Sequence, residues 1–227
     1  MDSSGHVRSY NARRGRLSAL TLARMDELAP RHAIPDGPLD PVAAFGRDAP
    51  VVLEIGCGHG AAALAYAQHH VDHDVLAVDV FTPALARMLA EADRLGLTNL
   101  WMHQGDAVAL LTERVVPGSL AAVHLFFPDP WPKSKHTKRR FLAAHTLDLV
   151  ASRLRPDGHL LVASAHPVYA VHARAELAAH GRFVVTEGER PVWRPHDGFE
   201  AKGLAAGRTV SEFRAALRHD EAPAPGT

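Results

Sequence analysis

"VVLEIGCGHGA", residues 51–61, decides the fold. An apolar run of strand length ends in glycines at 56, 58 and 60, and "AAALAYAQHH" (61–70) then carries the alanines and leucine of a helix. Glycines in such a turn let the backbone approach a ligand, and the following helix offers unpaired N–H groups at its start. Outward from this unit the alternation continues. "DVLAVDV" (74–80) reads as a second strand; Thr82-Pro83 reads as an N-cap with proline first in the helix, which Gly96 closes. "NLWMH" and "SLAAVHLFF" are the third and fourth strands, "KRRFLAAHTLDLVASRL" (138–154) a helix, and "GHLLVAS" (158–164) the fifth strand. A helix over 168–180 and strands near "RFVVTE" and "TVSEFRAAL" complete seven strands. Strands alternating with helices predict an α/β chain with a mainly parallel sheet covered on both faces.

At 227 residues the chain has room for one sizeable core with short extensions. The expected division is a mobile basic arm over 1–20, one domain over 21–218 and a mobile tail over 219–227. Twenty-five basic residues balance 25 acidic ones, so any affinity for nucleic acid has to come from local patches. The single cysteine, Cys57, excludes an intramolecular disulfide and fits a reducing compartment. No apolar run reaches the roughly 18 residues a membrane span needs, and no secretory segment is visible, so a cytoplasmic protein is expected. The sixteen histidines are scattered; His69, His70 and His73 follow a helix end without a cysteine or carboxylate cluster and read as solvated, so no metal is expected. Ser164 lacks the G-x-S-x-G elbow of a hydrolase.

In doubly wound sheets ligands bind beyond the carboxyl ends of the strands. Those ends carry Glu54, Asp79, Asp106 and Asp129. Gly56, Gly58 and Ala61 also satisfy the dinucleotide pattern G-x-G-x-x-A, with Asp79 where a ribose-binding acid belongs. Asp106, after the third strand, adds an acceptor that a nicotinamide dinucleotide does not need. Glu54, Asp79 and Asp106 together suit an ammonium, two ribose hydroxyls and an exocyclic amine, the polar groups of S-adenosylmethionine.

The second unusual stretch is "FPDPWPKSKHTKRR", residues 127–140. Prolines on both sides bias Asp129 toward an extended, fixed conformation. Trp131 offers a face on which a base stacks for about 1–3 kcal/mol. Lys133, Lys135, His136, Lys138, Arg139 and Arg140 then supply a clamp for phosphates.

Glu54-Ile55-Gly56-Cys57-Gly58-His59-Gly60, Gln104-Gly105-Asp106-Ala107 and above all Phe127-Pro128-Asp129-Pro130-Trp131-Pro132-Lys133 with Lys138-Arg139-Arg140 resemble the bacterial tRNA (guanine-N7)-methyltransferase family. The resemblance spans roughly residues 51–217, and its Asp-Pro-Trp block is more specific than its glycine motif. It implies a Rossmann-like class I methyltransferase fold, S-adenosylmethionine as cofactor and tRNA as partner, acting as a monomer or homodimer. The activity implied is methyl transfer to N7 of guanine 46 in the variable loop. Glu54, Gly56, Gly58, Gly60, Asp79, Asp106 and Asp129 are then the cofactor residues, and Asp129 the catalytic one. "RPHDGFEAKG" (194–203) resembles the family's Arg-Pro-x-Thr-x-Phe-Glu-x-Lys/Arg-Gly, which adds Asp197, Phe199 and Glu200 to Lys133 as substrate residues. Glu200 is expected to accept from N1–H and N2–H of guanine. Two positions depart from the pattern: Asp197 stands for the family's threonine, and Ser164-Ala165 for its Thr-Asp after the fifth strand. Asp197 returns a carboxylate to the segment. Two other readings stay open, a methyltransferase acting on an exocyclic amine and a tRNA-binding protein with little or no turnover.

Overall fold

The computed structural model describes residues 10, 16–196 and 198–218. Every residue of β1 (Val51–Ile55) is buried, which a strand achieves only at the centre of a sheet covered on both sides. Around it lie β2 (Asp74–Asp79), β3 (Leu100–Gln104), β4 (Leu120–Phe126), β5 (Leu154–Ser164), β6 (Phe183–Glu187) and β7 (Ser211–Leu217), in the order β3-β2-β1-β4-β5-β7-β6. The pairings from β3 across to β5 are parallel, whereas β7 runs antiparallel to both β5 and β6. The expected α/β, mainly parallel seven-stranded sheet is the one observed.

Because strand side chains alternate between faces, the sheet feeds two cores. Leu53, Leu76, Val123, Leu160 and Val162 pack with Leu110 and Leu111 of α5 (Ala107–Glu113), Leu147 and Val150 of α6 (Ala144–Arg153), and Tyr169 and Leu177 of α7 (Pro167–Ala179). Val52, Val75, Ala77 and Ala122 pack with Leu28 of α1 (Ala19–His32), Leu64 of α3 (Ala61–His69), and Leu85 and Met88 of α4 (Thr82–Arg94). The short α2 (Pro41–Phe45) belongs to the lead-in to β1, and α8 (Gly198–Ala205) to the connection between β6 and β7. Arg47 anchors the lead-in, its guanidinium reaching both carboxylate oxygens of buried Asp74 at 3.1–3.2 Å.

Four expectations change. The helix α1 starts at Ala19, inside the segment read as an arm; the Ser18 hydroxyl accepts the Thr21 N–H and caps it. The helix expected over 138–154 begins at Ala144 instead, and Ser134–Arg139 form a 3-10 helix. Consecutive cations at 138–140 oppose the positive end of a helix dipole. The Thr146 hydroxyl accepts the Ala143 N–H at 3.1 Å and donates to the Phe141 carbonyl, starting α6 there. The first residue of α4 is Thr82, with Phe81 in the N-cap position. His70 and His73 are not solvated ends: His70 stacks on Tyr66 at 3.9 Å, and His73 Nδ1 lies 2.7 Å from the Tyr66 hydroxyl.

Candidate cofactor and RNA site

The carboxyl ends of β3, β2, β1 and β4 stand side by side, so acids at those ends spread over three interstrand steps, about 14 Å. Glu54 sits near the end of β1, buried and in register with Ala77 of β2 and His124 of β4. Asp79 ends β2 and Asp106 follows β3. These are the expected cofactor acids, and the sheet brings them into one row.

Between β1 and α3 the chain turns through Gly56 (φ 70°), Gly58 (φ 56°) and Gly60 (φ 78°). Such angles strain any residue with a Cβ. The turn is pinned to β2: Gly56 N–H and Cys57 N–H both donate to the Val78 carbonyl, at 2.8 and 3.1 Å. Asp79 completes the attachment, accepting Gly58 N–H on Oδ2 and Phe81 N–H on Oδ1, each at 2.8 Å. A Cβ built on Gly56 or Gly58 meets nothing within 4 Å, so the space above the turn is open. At Gly60 it would fall 2.2 Å from Met88 Cγ; there glycine lets α4 pack against the start of α3. Asp106 caps α5 by accepting Val108 N–H and Ala109 N–H on Oδ1, which fixes its carboxylate at the end of β3. Cys57 is buried, and burial, then Glu54 and Asp79, push its thiol well above the ordinary range; it stays protonated. An open glycine turn bordered by three carboxylates on successive strands fits S-adenosylmethionine.

The loop after β4 is strained at two points. Phe127 (φ 49°) and Trp131 (φ 40°) are the positive-φ non-glycine residues among those described, and they bracket Pro128-Asp129-Pro130. Each costs about 1–3 kcal/mol and persists only where the surroundings hold it. Here the holders are visible. Phe127 N–H donates to the Ala163 carbonyl at 2.8 Å. Arg140 donates from Nε to the Pro130 carbonyl (3.1 Å) and from Nη2 to the Trp131 carbonyl (3.0 Å). Asp129 is exposed on this braced loop.

Two assignments made to this loop are corrected. Trp131 does not present a stacking face: it is 8% exposed, with the Arg139 guanidinium 3.8 Å above its ring and His136 edge-on at 5.6 Å. Arg140 does not face phosphate; it is buried, its donors turned inward to loop carbonyls. Lys133, Lys135 and Lys138 are exposed and form the outward cation set, with Arg139 and His136 half-buried beside them.

The segment before β7 lies over the same loop. Arg194, 1% exposed, places its guanidinium 4.8 Å from the Phe126 ring and 5.2 Å from that of Phe127. Its Nη2 pairs with Glu212 and, at 3.3 Å, with Glu200. Arg190 and His196 reach the other Glu200 oxygen at 3.7 and 3.0 Å. Glu200 is therefore buried and held among three basic groups, a network the sequence did not announce. Phe199 is 64% exposed with Lys202 Nζ 5.9 Å from its ring. Asp197 lies outside the described residues. Ala165 is 8% exposed beneath α8; a Cβ on Gly203 would fall 2.4 Å from its own Cβ. No group of three or more metal-binding side chains occurs among the described residues, and no helix there is long and apolar enough to cross a membrane.

Comparison with known proteins adds independent findings. A family model described as "Putative methyltransferase" matches residues 48–213. A tRNA (guanine-N(7)-)-methyltransferase of Nitrosomonas eutropha is 36% identical over 94% of this chain and 97% of its own length. One from Mycobacterium avium is 45% identical over 79% of this chain and 71% of its own. Among solved structures, a 30S ribosomal A1408 methyltransferase from an uncultured bacterium superposes with TM-score 0.56 at 11% identity, covering 78% of this chain and 92% of that one. A mutant 16S rRNA (adenine(1408)-N(1))-methyltransferase of Catenulisporales acidiphilia, solved with the cosubstrate SAM, gives 0.53 at 19% identity, covering 82% and 94%. At such identities the structures speak for the fold, which is that of the class I methyltransferases.

Proposed function

The chain belongs to the tRNA (guanine-N7)-methyltransferase family, and from that premise we propose how its residues carry out the reaction and where on tRNA it acts. It is an S-adenosylmethionine-dependent enzyme that methylates N7 of a guanine in tRNA; the position is guanine 46 of the variable loop. The observation that carries the reading is the loop of residues 127–140. An exposed carboxylate is mounted there on two strained, externally held residues, at the end of the strand beside the cofactor row, with three exposed lysines next to it.

S-adenosylmethionine supplies an electrophilic methyl group on a sulfonium centre. Guanine N7 has an unprotonated lone pair, so the chain has no proton to remove, and its work is alignment. Glu54, Asp79 and Asp106 hold the ammonium, ribose and adenine ends of the donor, Asp79 doing so while it fixes the glycine turn. Asp129 orients the base and offsets the positive charge that N7 methylation leaves on the purine. Lys133, Lys135 and Lys138 hold phosphates, Phe199 offers a stacking surface, and Glu200 takes part in recognising guanine within its basic network. The buried lone cysteine supports a cytoplasmic setting, and the enzyme acts as a monomer or homodimer.

The test is transfer from methyl-labelled S-adenosylmethionine to unmodified tRNA, followed by nucleoside analysis and mapping. Label in 7-methylguanosine at position 46 is expected. Label in an N-methylated exocyclic amine, or tRNA binding without label, would overturn the reading.

A further inference from the structure

Phe126 of β4, Ala163 of β5 and Glu212 of β7 are neighbours in one row of the sheet. The middle member is a buried alanine, short between a phenyl ring and a carboxylate. The guanidinium of Arg194 bridges that row: it lies 4.8 Å from the Phe126 ring and pairs through Nη2 with Glu212. The two strands it joins are two interstrand steps, about 10 Å, apart.

The same guanidinium has two further neighbours, and both belong to the acceptor side. Phe127, whose ring lies 5.2 Å away, is the strained residue through which the chain enters the Asp129 loop, two positions ahead of the carboxylate. Glu200, 3.3 Å from Nη2, sits in the first turn of α8. The backbone that delivers Arg194 is itself tied down, its N–H donating to the Pro191 carbonyl at 3.0 Å and its carbonyl accepting from Arg190 Nη1. Yet Nε and Nη1 have no hydrogen-bond partner among the described residues, in a side chain that is 1% exposed. Buried donors without an acceptor are costly and call for a reason. The reason lies in the shape of the group: a planar guanidinium can rest against aromatic faces while its edge forks between two carboxylates, which an ammonium cannot do at once.

We propose that Arg194 is a positioning residue for methyl transfer, its guanidinium fixing the Asp129 loop and α8 at a set spacing so that Asp129 and Glu200 grip the acceptor base together. The inference rests on the roles given to those two acids above. Buried as it is, Arg194 acts through Phe127 and Glu200 and not on the base itself. Transfer to N7 is a matter of alignment, and a misplacement on the order of 1 Å costs about 100-fold. A side chain that sets the spacing of the two acids therefore controls the chemical step more than it controls affinity.

The test is single-turnover transfer from methyl-labelled S-adenosylmethionine to unmodified tRNA, both saturating, on the full chain at a temperature well below each variant's thermal midpoint. Arg194→Lys keeps the charge and loses the plane. Transfer is expected to slow about tenfold or more, while S-adenosylhomocysteine affinity and the KM for tRNA stay within about threefold. Phe127→Leu removes the ring and keeps the backbone bond to Ala163. It should slow transfer too, and the double variant should be slower than the slower single by no more than about twofold, because both substitutions break one link. An arginine with only a structural role would lower the thermal midpoint and leave the rate of the folded enzyme as it was. An unchanged rate in Arg194→Lys or in Phe127→Leu, or single losses that multiply in the double variant, overturns the proposal. Should either variant not fold, Glu212→Gln takes its place, since it keeps the shape of the sheet anchor and removes its charge; slower transfer then supports the role and an unchanged rate overturns it. The labelled nucleoside made by the unsubstituted enzyme separates the two failures. Label outside 7-methylguanosine brings down the substrate reading and this inference with it, whereas label in 7-methylguanosine with an indifferent Arg194→Lys brings down this inference alone.

Discussion

The carboxylate of Asp79 accepts the backbone N–H of Gly58 at 2.8 Å, tying the end of β2 to the middle of the glycine turn. One side chain thus shapes the turn and borders the cofactor space. Asp79→Ala removes a charge-assisted bond to a backbone donor and a ribose acceptor together. Cofactor affinity is expected to fall about 10–100-fold, from ~1.5–3 kcal/mol for a hydrogen bond to a charged group. Calorimetry with S-adenosylhomocysteine checks this; a loss below threefold would remove Asp79 from the cofactor site.

Asp129→Ala leaves the Ala163 and Arg140 bonds that hold Phe127 and Trp131, and removes the exposed carboxylate. Turnover is expected to drop about 100-fold or more, with tRNA affinity kept within a few-fold. Single-turnover transfer alongside filter binding separates the two quantities, and unimpaired turnover would falsify the assigned role.

Replacing Lys133, Lys135 and Lys138 together by alanine tests the phosphate clamp. Three lost contacts should make the log–log salt slope of tRNA binding shallower by about 2.1–2.7, which is roughly a 20–40-fold contribution between about 50 and 200 mM salt. Parallel slopes for the variant and the unsubstituted protein would show that these lysines do not meet phosphate.

Arg140→Ala should behave differently. Its donors brace the Pro130 and Trp131 carbonyls, so the expected effect is a stability loss of about 1–3 kcal/mol with an unchanged salt slope. Urea melts give the first quantity and binding at several salt concentrations the second.

His159 is held down to about 4, first by burial and then by the Arg214 charge. Burial likewise pushes His124 well below its usual value. With folded values below unfolded ones, the unfolded chain binds more protons between roughly pH 6.5 and 4, so stability is fully present above that window and is lost as pH falls through it. Allowing for the partial solvent access of its ring, His159 accounts for ~2 kcal/mol of that loss. Unfolding free energies from urea melts at pH 7.5 and pH 5 should differ by about 1 kcal/mol less in His159→Leu than in the unsubstituted protein, since pH 5 lies partway through the window.

Much of the fold was legible because burial on both faces leaves runs that are apolar except at Glu54 and His124, residues 51–55 and 120–126, and glycines mark where the first of them ends. Boundaries set by single side chains were not. The start of α6 depends on a Thr146 hydroxyl, and α1 persists with Pro30 inside it because its Leu28 packs in the core beside Leu85 and Met88 of α4. At the site, residue types at the strand ends could be read, since alternation with helices makes the strands parallel and puts their carboxyl ends on one edge. Orientation could not. Arg140 and Lys138 are equally basic in sequence; only the folded loop shows one turned to carbonyls and the other outward. Burial of Glu200 beside Arg194 depends on contacts between residues 194, 200 and 212, which no local pattern encodes.

The reversed course of β7 has a consequence for how such an enzyme diversifies. Since β6 climbs toward the donor edge and β7 descends from it, the connection from Glu187 to Ser211 starts and ends at that edge, an overhang beyond the parallel strands β1 to β5. Insertions or exchanges in that overhang leave the methyl-donor machinery in place, so new clients can be acquired by rewriting one return loop.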